Sequence, residues 1–132
     1  MRKTLYVSDL DGTLLRGDQT LSQFTVDSIR SLVDRGMIFS YATARSYITA
    51  SAVTAGLPAQ LPVIVYNGSF IIEQGTGKRL LSNAFAEQES RQILDVLLGQ
   101  EIYPIVYSFL DGAEKYSWCP ERESRGMSWF NG

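Results

Sequence analysis

The chain has 132 residues, of which 45% are hydrophobic and 20% charged, with a formal net charge of -2 and a single cysteine. These numbers predict an ordinary globular protein that can bury a core without disulfides or a structural metal. Twelve basic against fourteen acidic residues, with no basic cluster, argue against a nucleic-acid partner. The absence of histidine excludes Ser-His-Asp and Cys-His nucleophile pairs.

Hydropathy gives no sign of a membrane partner. No apolar run reaches the length of a membrane span, and Ser8, Asp9 and Asp11 interrupt the stretch near the N-terminus that imitates a signal peptide. The sequence therefore predicts a protein that works in the cytoplasm.

The first half of the chain alternates strand-like and helix-like segments. The predicted strands are residues 4–8, 37–42 and 63–66, and the two predicted helices begin after the N-caps Ser22 and Ser46 and end at Gly36 and Gly56. The first helix is predicted to bury Phe24, Ile29, Leu32 and Val33 on one face. Three apolar strands separated by amphipathic helices predict an α/β fold, a parallel βαβαβ sheet covered on both faces.

Ligands of such sheets bind beyond the carboxyl ends of the strands. Those ends carry Asp9 to Asp11, Thr43 to Arg45, and Asn67-Gly68. We therefore expect these three groups of residues to meet at one edge of the sheet.

The pattern changes after Gly68. Residues 69–73 and 78–83 predict a hairpin, residues 85–99 a helix, and residues 102–109 with 114–118 a second hairpin across Asp111-Gly112. The helix is predicted to bury a stripe of four residues, Ile93, Leu94, Leu97 and Leu98. This hairpin-rich α+β segment predicts a second module, with a boundary near Asn83.

The string Asp9-Leu10-Asp11-Gly12-Thr13 carries the chemistry. A D-x-D-G-T match is expected by chance on the order of one time in a thousand in a chain of this length. Two carboxylates at i and i+2 leave a strand on the same side and attract a divalent cation, while Gly12 permits a sharp turn whose N–H groups face an anion. The alternative is a solvated turn in which an aspartate caps the loop.

In this position the string resembles the first motif of the haloacid dehalogenase superfamily of phosphohydrolases. The resemblance implies that Asp9 is the nucleophile that forms an aspartyl-phosphate and that Asp11 is the general acid. It also implies Mg²⁺ held by the Asp9 carboxylate and the Asp11 backbone carbonyl, and phosphate contacts from the backbone at Leu10 and Gly12. A cation and N–H donors are what an anionic nucleophile needs to approach an anionic phosphate.

Tyr41-Ala42-Thr43-Ala44-Arg45 is similar to the second motif of that superfamily. The resemblance implies a phosphate-binding segment of Thr43, Ala44 and Arg45, in which the Thr43 hydroxyl donates to the phosphate. The Cof-type subfamily, which has an α/β cap domain inserted after the third strand, usually has Thr-Gly-Arg here and often Asn-Gly at the place of Asn67-Gly68. The alternatives are a helix-capping hydroxyl for Thr43, a surface ion pair for Arg45 and a simple turn at Asn67-Gly68.

Two elements of the superfamily site do not occur. A lysine and further acidic residues normally follow the cap domain, but the only lysines here are Lys3, Lys78 and Lys115, and no Asp-Asp or Gly-Asp-x-x-x-Asp string is present. The resemblance therefore implies the N-terminal portion of a longer phosphatase. Residues 1–83, with the hairpin 69–83, would be part of a Rossmann-like core, and residues 84–132 would be a partial α+β cap domain.

A missing later strand would leave the first strand at the edge of the sheet, with unpaired backbone groups beside Asp9. We therefore expect self-association or another protective cover at this edge, and weak binding of Mg²⁺.

The function that the resemblance implies is Mg²⁺-dependent hydrolysis of small phosphorylated metabolites, such as sugar phosphates. A phosphomutase of the same superfamily and a non-catalytic, truncated anion-binding domain are the alternatives. Four aromatic residues of the second module either line the substrate side or belong to the core of the cap domain: Tyr103, Tyr107, Trp118 and Trp129.

Overall fold

The computed structural model describes residues 3–58, 60–126 and 128. The chain divides into two compact units, Met1–Ala84 and Phe85–Gly132. The assignment of these units as a core and a partial cap domain stays a prediction. In the described part of the chain, no helix is long and apolar enough to cross a membrane.

The described residues of the first unit form two helices and five short strands. In chain order they are β1 (Leu5–Ser8), α1 (Gln23–Asp34), β2 (Ile38–Tyr41), α2 (Tyr47–Val53), β3 (Val63–Val65), β4 (Phe70–Ile72) and β5 (Arg79–Ser82). A π-type turn, Leu10–Leu14, follows β1, and a 3-10 turn, Tyr66–Gly68, follows β3.

The strands of the first unit confirm the α/β prediction. β1 pairs in parallel with β2, from Leu5 opposite Ile38 to Ser8 opposite Tyr41, and a parallel bridge from Ala42 to Ile64 joins β3 to this pair. β3 also pairs with β4, and β4 with β5, both antiparallel. The predicted hairpin 69–83 therefore extends the sheet from β3.

Both predicted helix starts are confirmed. The Ser22 side chain accepts a hydrogen bond from the Thr25 N–H at 3.0 Å, and the Ser46 side chain accepts one from the Thr49 N–H at 3.2 Å. These bonds satisfy backbone donors that the first helical turn leaves without partners. Gly36 follows α1 with φ +97°, the left-handed geometry expected of a helix stop. The predicted stop at Gly56 is wrong, because α2 ends at Val53 and Gly56 has no left-handed φ.

The buried face of α1 differs from the prediction in part. Val26, Ile29 and Val33 pack with Leu57 in a core cluster, whereas Phe24 is 81% exposed and Leu32 is exposed as well. At 100° per residue, Phe24 lies about 200° around the helix from Val26 and so points away from this stripe.

The second unit contains α3 (Glu87–Gly99) and an antiparallel hairpin of β6 (Val106–Leu110) and β7 (Ala113–Ser117). Asp111 and Gly112 connect the strands with φ of +50° and +78°, as a two-residue turn of type I′ requires. The predicted stripe of α3 is wrong, because the helix buries no residue: Ile93 and Leu98 are exposed, and Leu94 and Leu97 are half-buried. Besides α3, the described residues of this unit form a two-stranded hairpin and a short 3-10 turn, Pro120–Arg122.

Aromatic side chains line one side of the hairpin. Tyr107 lies opposite Tyr116, whose ring stacks on Trp118 with centroids 5.4 Å apart, and the Arg122 guanidinium lies 5.6 Å from the Tyr103 ring centroid. Trp129 lies outside the described residues. Whether these residues serve a substrate stays a prediction.

Candidate active site

Backbone hydrogen bonds tie the carboxyl ends of the three parallel strands together. The Ala42 N–H donates to the Ser8 carbonyl at 2.9 Å, and the Thr43 N–H donates to the Ile64 carbonyl at 3.0 Å. The turn after β3 returns to the same place, since the Asn67 N–H donates to the Thr43 carbonyl at 3.1 Å. The structure therefore brings the loops after β1, β2 and β3 to one edge of the sheet.

The turn after β1 presents Asp9 and Asp11 at the surface. The Asp9 carboxylate accepts a hydrogen bond from the Leu10 N–H at 2.8 Å, and Leu10 is completely buried, which anchors the turn in the core. Gly12 has φ +73°, but a Cβ at this position would meet no atom within 4 Å. The glycine is therefore needed for the left-handed backbone of the turn rather than for space.

Asp11 and Arg45 form a two-pronged ion pair across the edge. The Arg45 Nε donates to Asp11 Oδ2 at 2.8 Å, and Nη2 donates to Oδ1 at 2.6 Å. The side chains are 51% exposed for Asp11 and 18% for Arg45. The hydrogen bonds from Arg45 lower the pKa of the Asp11 carboxyl, and the same bonds raise the pKa of Arg45. In this structure Asp11 is therefore an anion held by both its oxygens.

Thr43 lies at the end of β2 and is only 4% exposed. Its hydroxyl oxygen accepts a hydrogen bond from the Arg45 N–H at 3.1 Å, which fixes the loop that carries Arg45. A hydroxyl that accepts one bond can still donate its own proton, so this contact is compatible with a phosphate donor. Ala44, between the two, is exposed.

The turn at Asn67-Gly68 has an unusual backbone. Tyr66, Asn67 and Gly68 have φ of +51°, +54° and +94°, and Tyr66 is buried, with its ring edge-on to Phe70. Non-glycine residues rarely adopt this region, so the surrounding structure holds the turn in place. The Tyr66 N–H donates to the Arg45 carbonyl at 3.0 Å, which connects the turn to the Thr43–Arg45 loop. A role for Asn67 and Gly68 in the site stays a prediction.

The donors for a metal ion are few. Among residues 3–58, 60–126 and 128, no group of three or more acidic or cysteine side chains could hold a metal ion. The Asp9 carboxylate and the Asp11 carbonyl are hard oxygen donors of the kind Mg²⁺ prefers, while the Asp11 carboxylate is engaged by Arg45. These donors fit a partial Mg²⁺ shell that water and phosphate oxygens would complete.

Two residues at the site were not predicted. Gln19 has φ +62° and accepts a hydrogen bond from Arg45 Nη2 at 3.1 Å, and Tyr66 has the left-handed backbone described above. For Gln19, the only signal in the sequence is the preceding turn-forming pair Gly17-Asp18. For the left-handed backbone of Tyr66 the sequence gives no signal.

A parallel sheet with charged side chains in the loops that follow its first and second strands has the arrangement of an α/β protein whose ligands bind at the carboxyl ends of the strands. Residues 6–126 match the haloacid dehalogenase-like hydrolase family, and the chain belongs to that family.

Curated relatives are phosphatases by name. The chain is 36% identical over 101 residues to the 5-amino-6-(5-phospho-D-ribitylamino)uracil phosphatase YwtE of Bacillus subtilis, covering 76% of this chain and 34% of that protein. It is 30% identical over 86 residues to the HMP-PP phosphatase of Serratia proteamaculans, covering 65% of this chain and 31% of that protein. The chain thus spans about a third of the length of these two relatives.

Solved structures share the fold. A phosphatase of the haloalkanoate (HAD) enzyme superfamily from Bacteroides thetaiotaomicron aligns with a TM-score of 0.69 at 22% identity, covering 89% of this chain and 43% of that chain. A protein from Thermotoga maritima aligns with a TM-score of 0.69 at 19% identity, covering 98% and 46% of the two chains.

Proposed function

We propose that the chain carries the phosphoryl-transfer site of a Mg²⁺-dependent phosphomonoesterase that acts on small phosphorylated metabolites in the cytoplasm. The observation that supports this most is the meeting of the Asp9–Gly12 turn with Thr43 and Arg45 at the carboxyl edge of the sheet. Two carboxylates can supply the attacking oxygen and the proton for the leaving group, and a buried hydroxyl and a guanidinium can bind the phosphate.

Asp9 is the proposed nucleophile. One of its carboxylate oxygens attacks phosphorus, the bond from phosphorus to the leaving oxygen breaks, and Asp11 gives that oxygen a proton. Water then attacks phosphorus, the bond from phosphorus to the Asp9 oxygen breaks, and Asp11 takes the proton from the water. Inorganic phosphate is released and the free Asp9 carboxylate is regenerated. When bound, Mg²⁺ would offset the repulsion between the Asp9 carboxylate and the phosphate.

The ion pair with Arg45 sets a condition on the role of Asp11. A carboxylate that accepts hydrogen bonds from a guanidinium through both oxygens has a fixed orientation and a lowered pKa, so it has no proton to give to the leaving group. Arg45 must therefore release one of these oxygens when substrate binds, and that oxygen must take up a proton from solvent before Asp11 can act as the acid. An incoming phosphate would provide Arg45 with a second anion, which makes such an exchange possible.

The names of curated relatives support the proposed substrate class. YwtE is named for 5-amino-6-(5-phospho-D-ribitylamino)uracil, which is a small phosphorylated compound. For this chain we propose a small phosphate monoester, with sugar phosphates as the first compounds to test.

The test replaces the proposed nucleophile. The complete gene product is assayed for release of inorganic phosphate from p-nitrophenyl phosphate with Mg²⁺. Asp9→Asn is expected to reduce turnover on the order of a thousandfold or more, as loss of a catalytic nucleophile does elsewhere. The matched control is Asp34→Asn, which removes an exposed carboxylate of α1.

Turnover that survives Asp9→Asn would refute the proposal. Transfer of the phosphoryl group to a second sugar hydroxyl rather than to water would favour the phosphomutase. Phosphate binding without turnover in the unmodified protein would favour a non-catalytic anion-binding domain.

We also propose self-association through β1. One edge of β1 pairs with β2, no strand of the described residues pairs with the other edge, and Leu5, Tyr6 and Val7 are 54%, 54% and 46% exposed. An apolar, unpaired edge is a template for strand addition.

Sedimentation velocity tests this association. We expect the 132-residue chain to form concentration-dependent oligomers and Val7→Lys to shift it toward monomer. Phe24→Lys, a change at an exposed apolar residue of α1, is the control and should leave the oligomers intact. A monodisperse monomer at every concentration would contradict self-association.

A further inference from the structure

The loop between β1 and α1 is a small structure held by its own polar contacts. The Arg16 N–H donates to the Thr20 carbonyl at 2.9 Å, and the Gln19 N–H donates to the Arg16 carbonyl at 2.9 Å. Asp18 accepts hydrogen bonds from the Thr20 N–H at 3.1 Å and the Thr20 hydroxyl at 2.6 Å, and it pairs with Arg16 at 3.2 Å. These bonds define the position of the loop tip before any ligand binds.

Gln19 sits at that tip in a conformation that glutamine rarely adopts. Its φ is +62°, in the left-handed region that suits glycine and, less well, asparagine. Residues held in such a region cluster at functional sites, where the surrounding structure maintains them. The left-handed backbone at Gln19 is therefore consistent with a functional role for this residue.

The side chain of Gln19 reaches Arg45. The carbonyl oxygen of its amide accepts a hydrogen bond from Arg45 Nη2 at 3.1 Å, and the same Nη2 donates to Asp11 at 2.6 Å. The guanidinium is rigid and planar, so a second acceptor on Nη2 restricts rotation of the whole group. Rotation of Arg45 would misalign both of its bonds to Asp11.

We propose that Gln19 is a positioning residue, whose amide oxygen orients Arg45 and thereby fixes where the Asp11 carboxylate stands. The orientation of Arg45 is a property of the first unit alone. The effect on turnover rests on the function proposed above for Asp11.

Two substitutions distinguish the effect of the Gln19 side-chain amide from the effect of its strained backbone. Gln19→Gly removes the amide and suits φ +62°, so a loss of function cannot come from backbone strain. Gln19→Asn keeps an amide and tolerates this φ, but its side chain is one methylene shorter and should not reach Arg45. We therefore expect the two variants to behave alike. Gln23→Ala, which changes an exposed glutamine of α1 that bonds Asp27, is the control.

The first measurement needs no activity. In a ¹H–¹⁵N NMR spectrum of the 132-residue chain, the Arg45 Nε–H resonance is identified by its loss in Arg45→Lys. We expect Gln19→Gly and Gln19→Asn to shift this resonance and to speed its exchange with water, and Gln23→Ala to leave it unchanged. An unchanged Arg45 resonance in both Gln19 variants would overturn the inference.

The second measurement is the kinetics of the complete gene product. Misplacement of a catalytic group lowers kcat, so we expect Gln19→Gly to reduce kcat about tenfold with little change in KM. An Arg45 resonance that shifts while kcat stays the same would overturn the positioning role. Survival of turnover in Asp9→Asn would refute the proposed function, but it would leave the Arg45 resonance and its dependence on Gln19 as they are.

Discussion

The two units of the chain are built in different ways. All the hydrophobic residues of the buried core belong to the first unit, between Leu10 and Ile72, and none of the described residues of the second unit is buried to that degree. The first unit is therefore held by contacts between elements distant in sequence. The stability of the second unit depends on local interactions within each helix or hairpin, because its described residues form no common buried core.

Those local signals are clear in the second unit. The Asp111-Gly112 turn fixes the register of β6 and β7, and the Glu89 carboxylate accepts a hydrogen bond from the Ala86 N–H at 2.8 Å at the start of α3. Glu87 and Arg91 form an i,i+4 ion pair on the exposed surface of the same helix. Each such feature stabilises its element by about 1 kcal/mol or less.

Removal of a buried side chain should distinguish the units most strongly. Ile72 is 2% exposed in β4, and Ile72→Ala is expected to lower the free energy of unfolding by about 2–5 kcal/mol because it leaves a cavity. Leu97→Ala, at a half-buried position of α3, should cost only about 1 kcal/mol. Urea denaturation, followed by circular dichroism, measures both.

Equal losses from the two substitutions would mean that α3 is packed as tightly as β4, which would contradict the difference between the units. A loss confined to Ile72→Ala would confirm that difference. The exposed apolar substitution Phe24→Ala is the control for a general effect of lost surface and should change the free energy of unfolding very little.

The sequence predicted local features of the fold better than contacts between elements that are distant in the chain. The helix caps Ser22 and Ser46, the left-handed Gly36 and the two-residue turn at Asp111-Gly112 are local in origin, and all were predicted. The buried stripes were predicted less well, because a helical face is apolar whether or not another element covers it. Phe24 and Ile93 look like core residues in the sequence, but both are exposed.

For the candidate site, the sequence predicts that Asp9, Asp11, Thr43 and Arg45 lie at the ends of neighbouring strands, and the backbone bonds there bring these ends together. Which side chains pair could not be predicted. Arg45 is 34 positions from Asp11 and 26 from Gln19, and the bonds among them depend on the path of two loops. No spacing rule covers such a contact.

The turn of the second hairpin gives an intermediate effect. Gly112 has φ +78° and a Cβ there would meet nothing within 4 Å, so Gly112→Ala costs only backbone strain, about 1–2 kcal/mol. Gly99, the last residue of α3, is equally open but has no left-handed φ, and Gly99→Ala should stabilise the helix by about 0.4–1 kcal/mol. Amide hydrogen exchange of β6, β7 and α3 measures the two changes. Destabilisation by both would show that crowding at these glycines, not backbone geometry, decides their effect.

A similarly small effect is expected at the start of α3. Ala86 has the extended backbone of an N-cap, with φ -64° and ψ 156°, much like Ser22 and Ser46 in the first unit. Glu89 already accepts from the Ala86 N–H, but an alanine side chain cannot accept the reciprocal bond from the Glu89 N–H. Ala86→Ser supplies that oxygen and should stabilise α3 by about 0.5–1 kcal/mol.

Hydrogen exchange of the first turn of α3 reports this gain, and Ala84→Ser, two residues earlier and exposed, is the control. Ser46→Ala is the reverse change in the first unit and should cost about 1 kcal/mol there. If Ala86→Ser slows exchange only in α3, the stability of the helix is set by its own N-cap, as expected for a unit without a shared core. If protection rises equally in β6 and β7, α3 and the hairpin fold as one cooperative body, and the contrast between the two units lies in the size of their cores alone.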